Sequence, residues 1–208
     1  MHDYFEKLNS FNSNDKLNDL RKFGFDNNVP IINNEGLSVL LAVIRIKKVK
    51  KILEIGTAIG YSSITMALDD PEISIDTIER DKKMYQLAVS NVKAFGLEKQ
   101  INLIYGDALE VDENELGNYD LIFIDAAKAQ YTKFFEKFTP RLNQDGVVFT
   151  DNLLFHGLVD TKPEEIESRN VRALVRKINN FNVFLKDNKE FKTTFIEFGD
   201  GIALSIKR

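Results

Sequence analysis

Hydrophobic and polar residues follow two patterns along the chain. Up to about Ile46, apolar residues recur at helical spacing. In residues 1–22, Phe5, Leu8, Leu17 and Leu20 stand on a polar background, which predicts one or two short helices in an N-terminal extension of about residues 1–28. Residues 27–32 read as an extended connector, because Pro30 disfavours helix in the residue before it. Leu37, Leu40, Leu41 and Ile44 give residues 35–46 the periodicity of a buried helix.

Beyond that point short apolar runs alternate with amphipathic stretches. Strands are expected at Lys51–Ile55, 73–78, Ile101–Tyr105, 121–124 and 147–150. Helices are expected at 61–68, Lys82–Phe95, 131–142 and 169–180. Gly96 supplies a C-cap for the second of these. Residues 193–198 and 202–207 flank Gly199-Asp200-Gly201, a hairpin signal. This order predicts an α/β fold with a mostly parallel sheet and one antiparallel strand. The unbroken apolar strands fit a sheet covered by helices on both faces. Ligands in such sheets bind beyond the carboxyl ends of the strands.

Composition narrows the picture. The 208 residues suit one domain, here 1–208, and 43% hydrophobic with 29% charged residues is ordinary for a soluble globular protein. The absence of cysteine removes disulfides, thiolate zinc sites, iron–sulfur clusters and a Cys nucleophile. A net charge of −4 does not suggest a general nucleic-acid binder, although a local basic face is compatible with it. The polar start MHDYFEKLNS is unlike a signal peptide, and no apolar run approaches the roughly 20 residues that span a bilayer. A cytoplasmic protein with no membrane partner is expected.

The chemistry concentrates at the strand ends. The first strand runs into Leu53-Glu54-Ile55-Gly56-Thr57-Ala58-Ile59-Gly60-Tyr61-Ser62-Ser63. Gly56 and Gly60 allow a tight turn and close approach of a ligand to the backbone. Glu79 ends the second strand, where its carboxylate can accept hydrogen bonds from both hydroxyls of a ribose. The spacing is G-x-x-x-G, neither the dinucleotide fingerprint nor a phosphate loop, so an adenosine without phosphates fits better than a pyrophosphate. Glu54 suits a cationic sulfonium or amino group. A plain strand–helix turn is the alternative for the glycines alone; Glu79 and Gly106-Asp107-Ala108 shift the balance to a ligand site.

Asp125 follows one apolar strand, and Asp151-Asn152 follow another, with one helix between. A right-handed crossover would set them side by side. Two carboxylates and an amide oxygen form a hard donor set suited to Mg²⁺, with Mn²⁺ and Ca²⁺ as alternatives. Lys128, three residues after Asp125, can reach the same space as a general base. Taken singly, each Asp is ordinary turn chemistry and the lysine a solvated residue. Neither His2 nor His156 signals catalysis; His156 lies near the expected substrate mouth.

These segments, Leu53–Ser63, Glu79, Gly106–Ala108, Asp125–Lys128 and Asp151-Asn152, resemble the cation-dependent O-methyltransferases related to catechol and caffeoyl-CoA methyltransferases. The resemblance runs from about Val29 to the C-terminus. It implies the class I methyltransferase, Rossmann-like fold: a seven-stranded sheet with its last strand antiparallel. It implies S-adenosylmethionine bound by Ile31, Glu54, Gly56, Ser62, Glu79, Ala108 and Asp125. Mg²⁺ would be held by Asp125, Asp151 and Asn152, with Lys128 as base and a homodimer as assembly.

Residues 125–131 and 151–157 look most like bacterial tRNA 5-hydroxyuridine methyltransferases, which form 5-methoxyuridine at the wobble position; His156 stands where a lysine is expected. The 5-oxygen and 4-carbonyl oxygen of that base are neighbours, as in a catechol. RNA would call for cations: Lys162, Arg169, Arg172, Arg176 and Lys177, or the run Lys47, Lys48, Lys50 and Lys51, each equally readable as a solvated surface. A small-molecule catechol-type methyltransferase is the competing reading. A catalytically silent nucleoside- or RNA-binding protein on the same fold is the third.

Overall fold

The computed structural model describes residues 14–208. His2, Phe5 and Leu8 lie outside them. The helix carrying Leu17 and Leu20 is α1 (Asp15–Asp26), capped at its start by the Asn14 side chain. Residues 29–33 are without regular structure and lead into α2 (Asn34–Lys47), capped by Asn33. There follow β1 (Lys51–Ile55), α3 (Tyr61–Asp69), β2 (Ser74–Glu79), α4 (Lys82–Phe95), β3 (Ile101–Tyr105), β4 (Tyr119–Ile124), α5 (Tyr131–Phe138), β5 (Leu142–Thr150), α6 (Arg169–Asp187), β6 (Phe191–Ile196) and β7 (Ile202–Lys207).

One seven-stranded sheet has the order β3-β2-β1-β4-β5-β7-β6. β1 pairs in parallel with β2 and β4, and β4 with β5. β7 is antiparallel to both its neighbours, β5 and β6. The expected fold is therefore observed. The strand order reverses between β1 and β4, so the edge beyond Ile55 and Ile124 is where a crevice opens.

The strands need no polar face because both faces are covered. Ile52, Leu121, Phe123, Val147 and Phe149 join the core beneath α1 to α4. Their chain neighbours Leu53, Ile122, Ile124 and Val148 join the opposite core with Phe134, Phe135, Phe138, Ile178 and Phe181 from α5 and α6. Period-two alternation thus sorts one continuous apolar run into two cores. On the second face Phe135 meets Phe181, Phe184 and Phe191 edge-on at centroid separations of 6.2, 5.6 and 5.0 Å.

Several boundaries differ from expectation, three of them instructively. The helix expected at 131–142 ends at Phe138; Thr139–Arg141 is a 3-10 turn around Pro140, and Leu142 already belongs to β5. Leu142 fits a helical spacing, and the polar Asn143-Gln144-Asp145 masks the strand, which slips register against β4 there. The helix expected to end at residue 180 continues to Asp187, because Phe181 and Leu185 extend its buried stripe. β6 spans Phe191–Ile196, two residues ahead of the expected 193–198. No described helix is long and apolar enough to cross a membrane.

Candidate active site

The turn after β1 is shaped by backbone crowding. Gly56 has φ +103°, and a Cβ there would overlap the carbonyl oxygen of Asp125. Only glycine lets the β1–α3 turn pass so close to the end of β4. Gly60, at φ +83°, begins α3 in the left-handed region. Behind the turn sits Glu54, fully buried. Its carboxylate accepts from the hydroxyls of Ser62, Ser63 and Thr77, the last at 2.6 Å. Burial lifts its pKa to about 6 against the opposing pull of those hydroxyls.

Two cavities open at the carboxyl edge of the sheet. The first, about 300 Å³, is lined by Gly56, Ala58, Glu79, Gly106, Asp107, Ala108 and Phe134, among others. Glu79 is fixed at its rim by two backbone donors, Ala58 N–H at 2.8 Å and Asp81 N–H at 2.7 Å. Arg80 reaches across to Asp107 at 3.5 Å. The second cavity, about 500 Å³, is lined by Ile31, Asn33, Lys128, Asp151, Asn152, His156 and Asp200, among others. Pro30, Asp125 and Lys128 line both, so the cavities adjoin at those residues.

Of the expected cofactor residues, Gly56, Glu79, Ala108 and Asp125 therefore line the first cavity. Ile31 lines the second instead. Glu54 and Ser62 lie beneath the turn, where Ser62 donates to Glu54 rather than facing open space.

The expected cation residues converge. Asn152 Nδ2 donates to Asp125 Oδ1 at 3.0 Å. Asp151 is 1% exposed, and its Oδ1 accepts the Asn152 N–H at 2.8 Å. Tyr131 fixes the same turn by donating to the Asp151 carbonyl at 3.1 Å. Asn152 has φ +65°, a conformation Asn tolerates better than most residues. Burial raises the Asp125 pKa to about 6, with Lys128 opposing and Asp200 adding to the rise. Burial, then the charge of Asp125, raises Asp151 to about 7. Two such carboxylates, with no lysine or arginine ion-paired to them among the described residues, beside an amide oxygen, fit a hard divalent cation. Among the described residues no group of three or more His, Asp or Glu side chains could hold a metal ion on its own.

Two features escaped the sequence reading. Asp200, taken as a turn residue, is buried against this cavity and accepts the His156 N–H. Asn33 caps α2 through Gly36 N–H at 2.7 Å, and it lies where any Cβ on Gly199 would collide with it. That contact brings the start of α2 over Asp151: a Cβ on Gly36 would stand 3.3 Å from Asp151 Oδ2.

The basic residues separate. Lys50 lies at the amino end of β1, opposite the cavities, and pairs with Asp70 and Glu72, each at 2.7 Å. Arg169, Arg172 and Arg176 line a separate cleft of about 610 Å³ on α6. Arg172 is engaged there by the Ile166 and Glu167 carbonyls. Lys162 and Lys177 are exposed and do not line it.

The comparisons agree on one family. Residues 7–208 match the family model described as O-methyltransferase. Among curated proteins, the flavonoid 3',5'-methyltransferase of Vitis vinifera is 32% identical over 184 residues, covering 85% of this chain and 77% of the relative. A caffeoyl-CoA O-methyltransferase of Populus kitakamiensis is 29% identical, covering 85% and 76%. A solved Staphylococcus aureus structure, provisionally assigned as a caffeoyl-CoA O-methyltransferase, is 45% identical with TM-score 0.88, covering 92% of both chains. The Podospora anserina methyltransferase PaMTH1, solved with S-adenosylhomocysteine, shares the fold at TM-score 0.86 and 24% identity, covering 98% of this chain and 92% of its own.

Proposed function

This chain belongs to the O-methyltransferase family, and we propose that it moves the methyl group of S-adenosylmethionine to a hydroxyl whose neighbouring oxygen lets the acceptor chelate a divalent cation, Mg²⁺ by preference. The observation that carries this reading is the pair of cavities meeting at Asp125 and Lys128. The smaller suits the adenosine: Glu79 at its rim can accept from ribose hydroxyls, and the Gly56 turn leaves room for the ligand's approach. The larger takes the acceptor.

Asp125, Asp151 and Asn152 would hold the cation, which when bound lowers the pKa of the acceptor hydroxyl and orients it. Lys128, lining both cavities, takes the hydroxyl proton onto Nζ. The acceptor oxygen attacks the methyl carbon in line, and the carbon–sulfur electron pair passes to sulfur, leaving neutral S-adenosylhomocysteine. Holding donor and acceptor on either side of Asp125 converts a bimolecular encounter into a positioned one.

For the acceptor, the likeness of residues 125–131 and 151–157 to tRNA 5-hydroxyuridine methyltransferases supports wobble 5-hydroxyuridine. A small-molecule acceptor is the second reading, supported by relatives named for flavonoid and caffeoyl-CoA methylation. Nucleoside analysis of tRNA from cells lacking the protein separates them: 5-hydroxyuridine accumulates and 5-methoxyuridine disappears on the first reading, and neither changes on the second. If S-adenosylmethionine binds but Mg²⁺ with tRNA, catechol or caffeoyl-CoA yields no methylated product, both readings fall to a silent binding protein.

A further inference from the structure

The hairpin between β6 and β7 puts Asp200 against the acceptor cavity. Its side chain is only 9% exposed. Oδ1 accepts the backbone N–H of His156, and the Asp200 and Gly201 carbonyls accept Leu154 N–H at 2.8 Å and Leu153 N–H at 3.0 Å. The hairpin therefore holds the loop that carries Asn152, a loop in which Asn152, Phe155 and His156 all have positive φ. Oδ2 is different: it is buried and has no hydrogen-bond partner among the described residues. A carboxylate oxygen desolvated without a partner is costly. The fold retains that cost at the edge of the cavity where Asp125 and Asp151 converge.

Charge gives the oxygen a purpose. The charged lining is Glu35, Asp125, Asp151 and Asp200 against Lys128 and the exposed His156. Four carboxylates against one ammonium leave the lining with an excess of negative charge, which a multiply charged cation offsets. Asp200 is close enough that its charge adds to the burial that raises the Asp125 and Asp151 carboxyls. Among the described residues no three His, Asp or Glu side chains group closely enough to hold a metal ion, so Asp200 is assigned no direct bond to the cation.

We propose that Asp200 is the outer acidic member of the cation site: Oδ1 positions the loop bearing Asn152, while Oδ2 supplies negative charge that strengthens the site's preference for a multiply charged cation. This rests on the metal-assisted reading above. It is a positioning role, since Asp200 reaches the reacting atoms only through the cation.

The test is Asp200→Asn, which keeps Oδ1 for the His156 N–H and removes the charge. Binding of Mn²⁺, followed by its electron paramagnetic resonance signal, and of Tb³⁺, followed by its luminescence, is compared with wild type in the presence of S-adenosylhomocysteine. Mn²⁺ affinity should fall about tenfold or more, and Tb³⁺ affinity by a larger factor, because loss of a fixed charge scales with the charge of the ion. Unchanged Mn²⁺ affinity overturns the proposal. So does an equal fall for both ions, which would report a displaced loop. Wild-type protein that binds neither ion overturns the metal-assisted reading itself. Binding of S-adenosylhomocysteine without metal should be the same in both proteins, and a loss in the variant would also count against the proposal.

Discussion

Buried acids at the carboxyl edge of the sheet come in two kinds. Glu54 is fully buried, and three hydroxyls, from Ser62, Ser63 and Thr77, serve its two oxygens. Asp151 and Asp200 are buried nearby and Asp125 half-buried, with fewer partners among the described residues: one amide for Asp125, one backbone N–H for Asp151, and an Oδ2 without any on Asp200. Burial raises the carboxyls of Glu54, Asp125 and Asp151 alike. The difference lies in what completes them. The Glu54 cluster is satisfied within the protein and shapes the turn. The aspartates leave valences open, which is why the cation is proposed to sit among them.

The comparison breaks most sharply at Asp151. Asp151→Ala removes a proposed cation ligand, and turnover with Mg²⁺ should fall on the order of 1,000-fold or more. Affinity for S-adenosylhomocysteine, measured by calorimetry, should change little, because Asp151 does not line the smaller cavity. Full wild-type activity in excess chelator would remove the cation from the account. Lys128→Ala comes next, with turnover down about 100-fold at nearly unchanged cofactor affinity. If affinity fell instead with turnover spared, Lys128 would be a wall of the cofactor cavity and no base.

Glu54→Gln probes the satisfied side. The neutral amide keeps one oxygen acceptor and sets an NH₂ against hydroxyls that need an acceptor, so stability should drop by about 1–3 kcal/mol in urea unfolding. Cofactor affinity should follow only as far as the turn is disturbed. An affinity loss far exceeding the stability loss would make Glu54 a direct cofactor contact, and the two kinds of acid would merge.

The sequence made the sheet legible because its central strands are short, apolar and closed by glycine or an acid; those endings also placed Gly56, Glu79, Asp125 and Asp151 on one edge. It was silent on Asp200 for a physical reason. Gly199-Asp200-Gly201 satisfies local turn chemistry completely, so nothing along the chain asks for a second role. That role depends on a hairpin folding back against a loop some 40 residues earlier, the His156–Asp200 contact spanning 44 positions. Ser62 shows the converse. Its place after the glycine turn suggests a ligand contact, whereas in three dimensions its hydroxyl is committed to Glu54. Spacing reports where a side chain can reach; it does not report which partner is already there.

The smallest expected effect is thermal, and its response to Mg²⁺ distinguishes the two kinds of acid. Without metal, burial holds Glu54 and Asp125 at about 6 and Asp151 at about 7, above their ordinary values of 4.5, 3.8 and 3.8. A carboxyl raised on folding binds more protons in the native state between its two pKa values, so its contribution is full below the unfolded value and is lost as pH rises through the folded one. The lowered carboxyls of Asp70 and Asp120 act the other way, but only below about 3.8. In chelator, the melting temperature should therefore fall by on the order of 5 °C between pH 5 and pH 8. Saturating Mg²⁺ should remove the part due to Asp125 and Asp151, because a cation favours their ionised forms, and leave the Glu54 part, centred near pH 5 to 6, in place. A melting temperature that rises with pH in chelator would show that the aspartates are already satisfied without a cation, and would erase the distinction from Glu54.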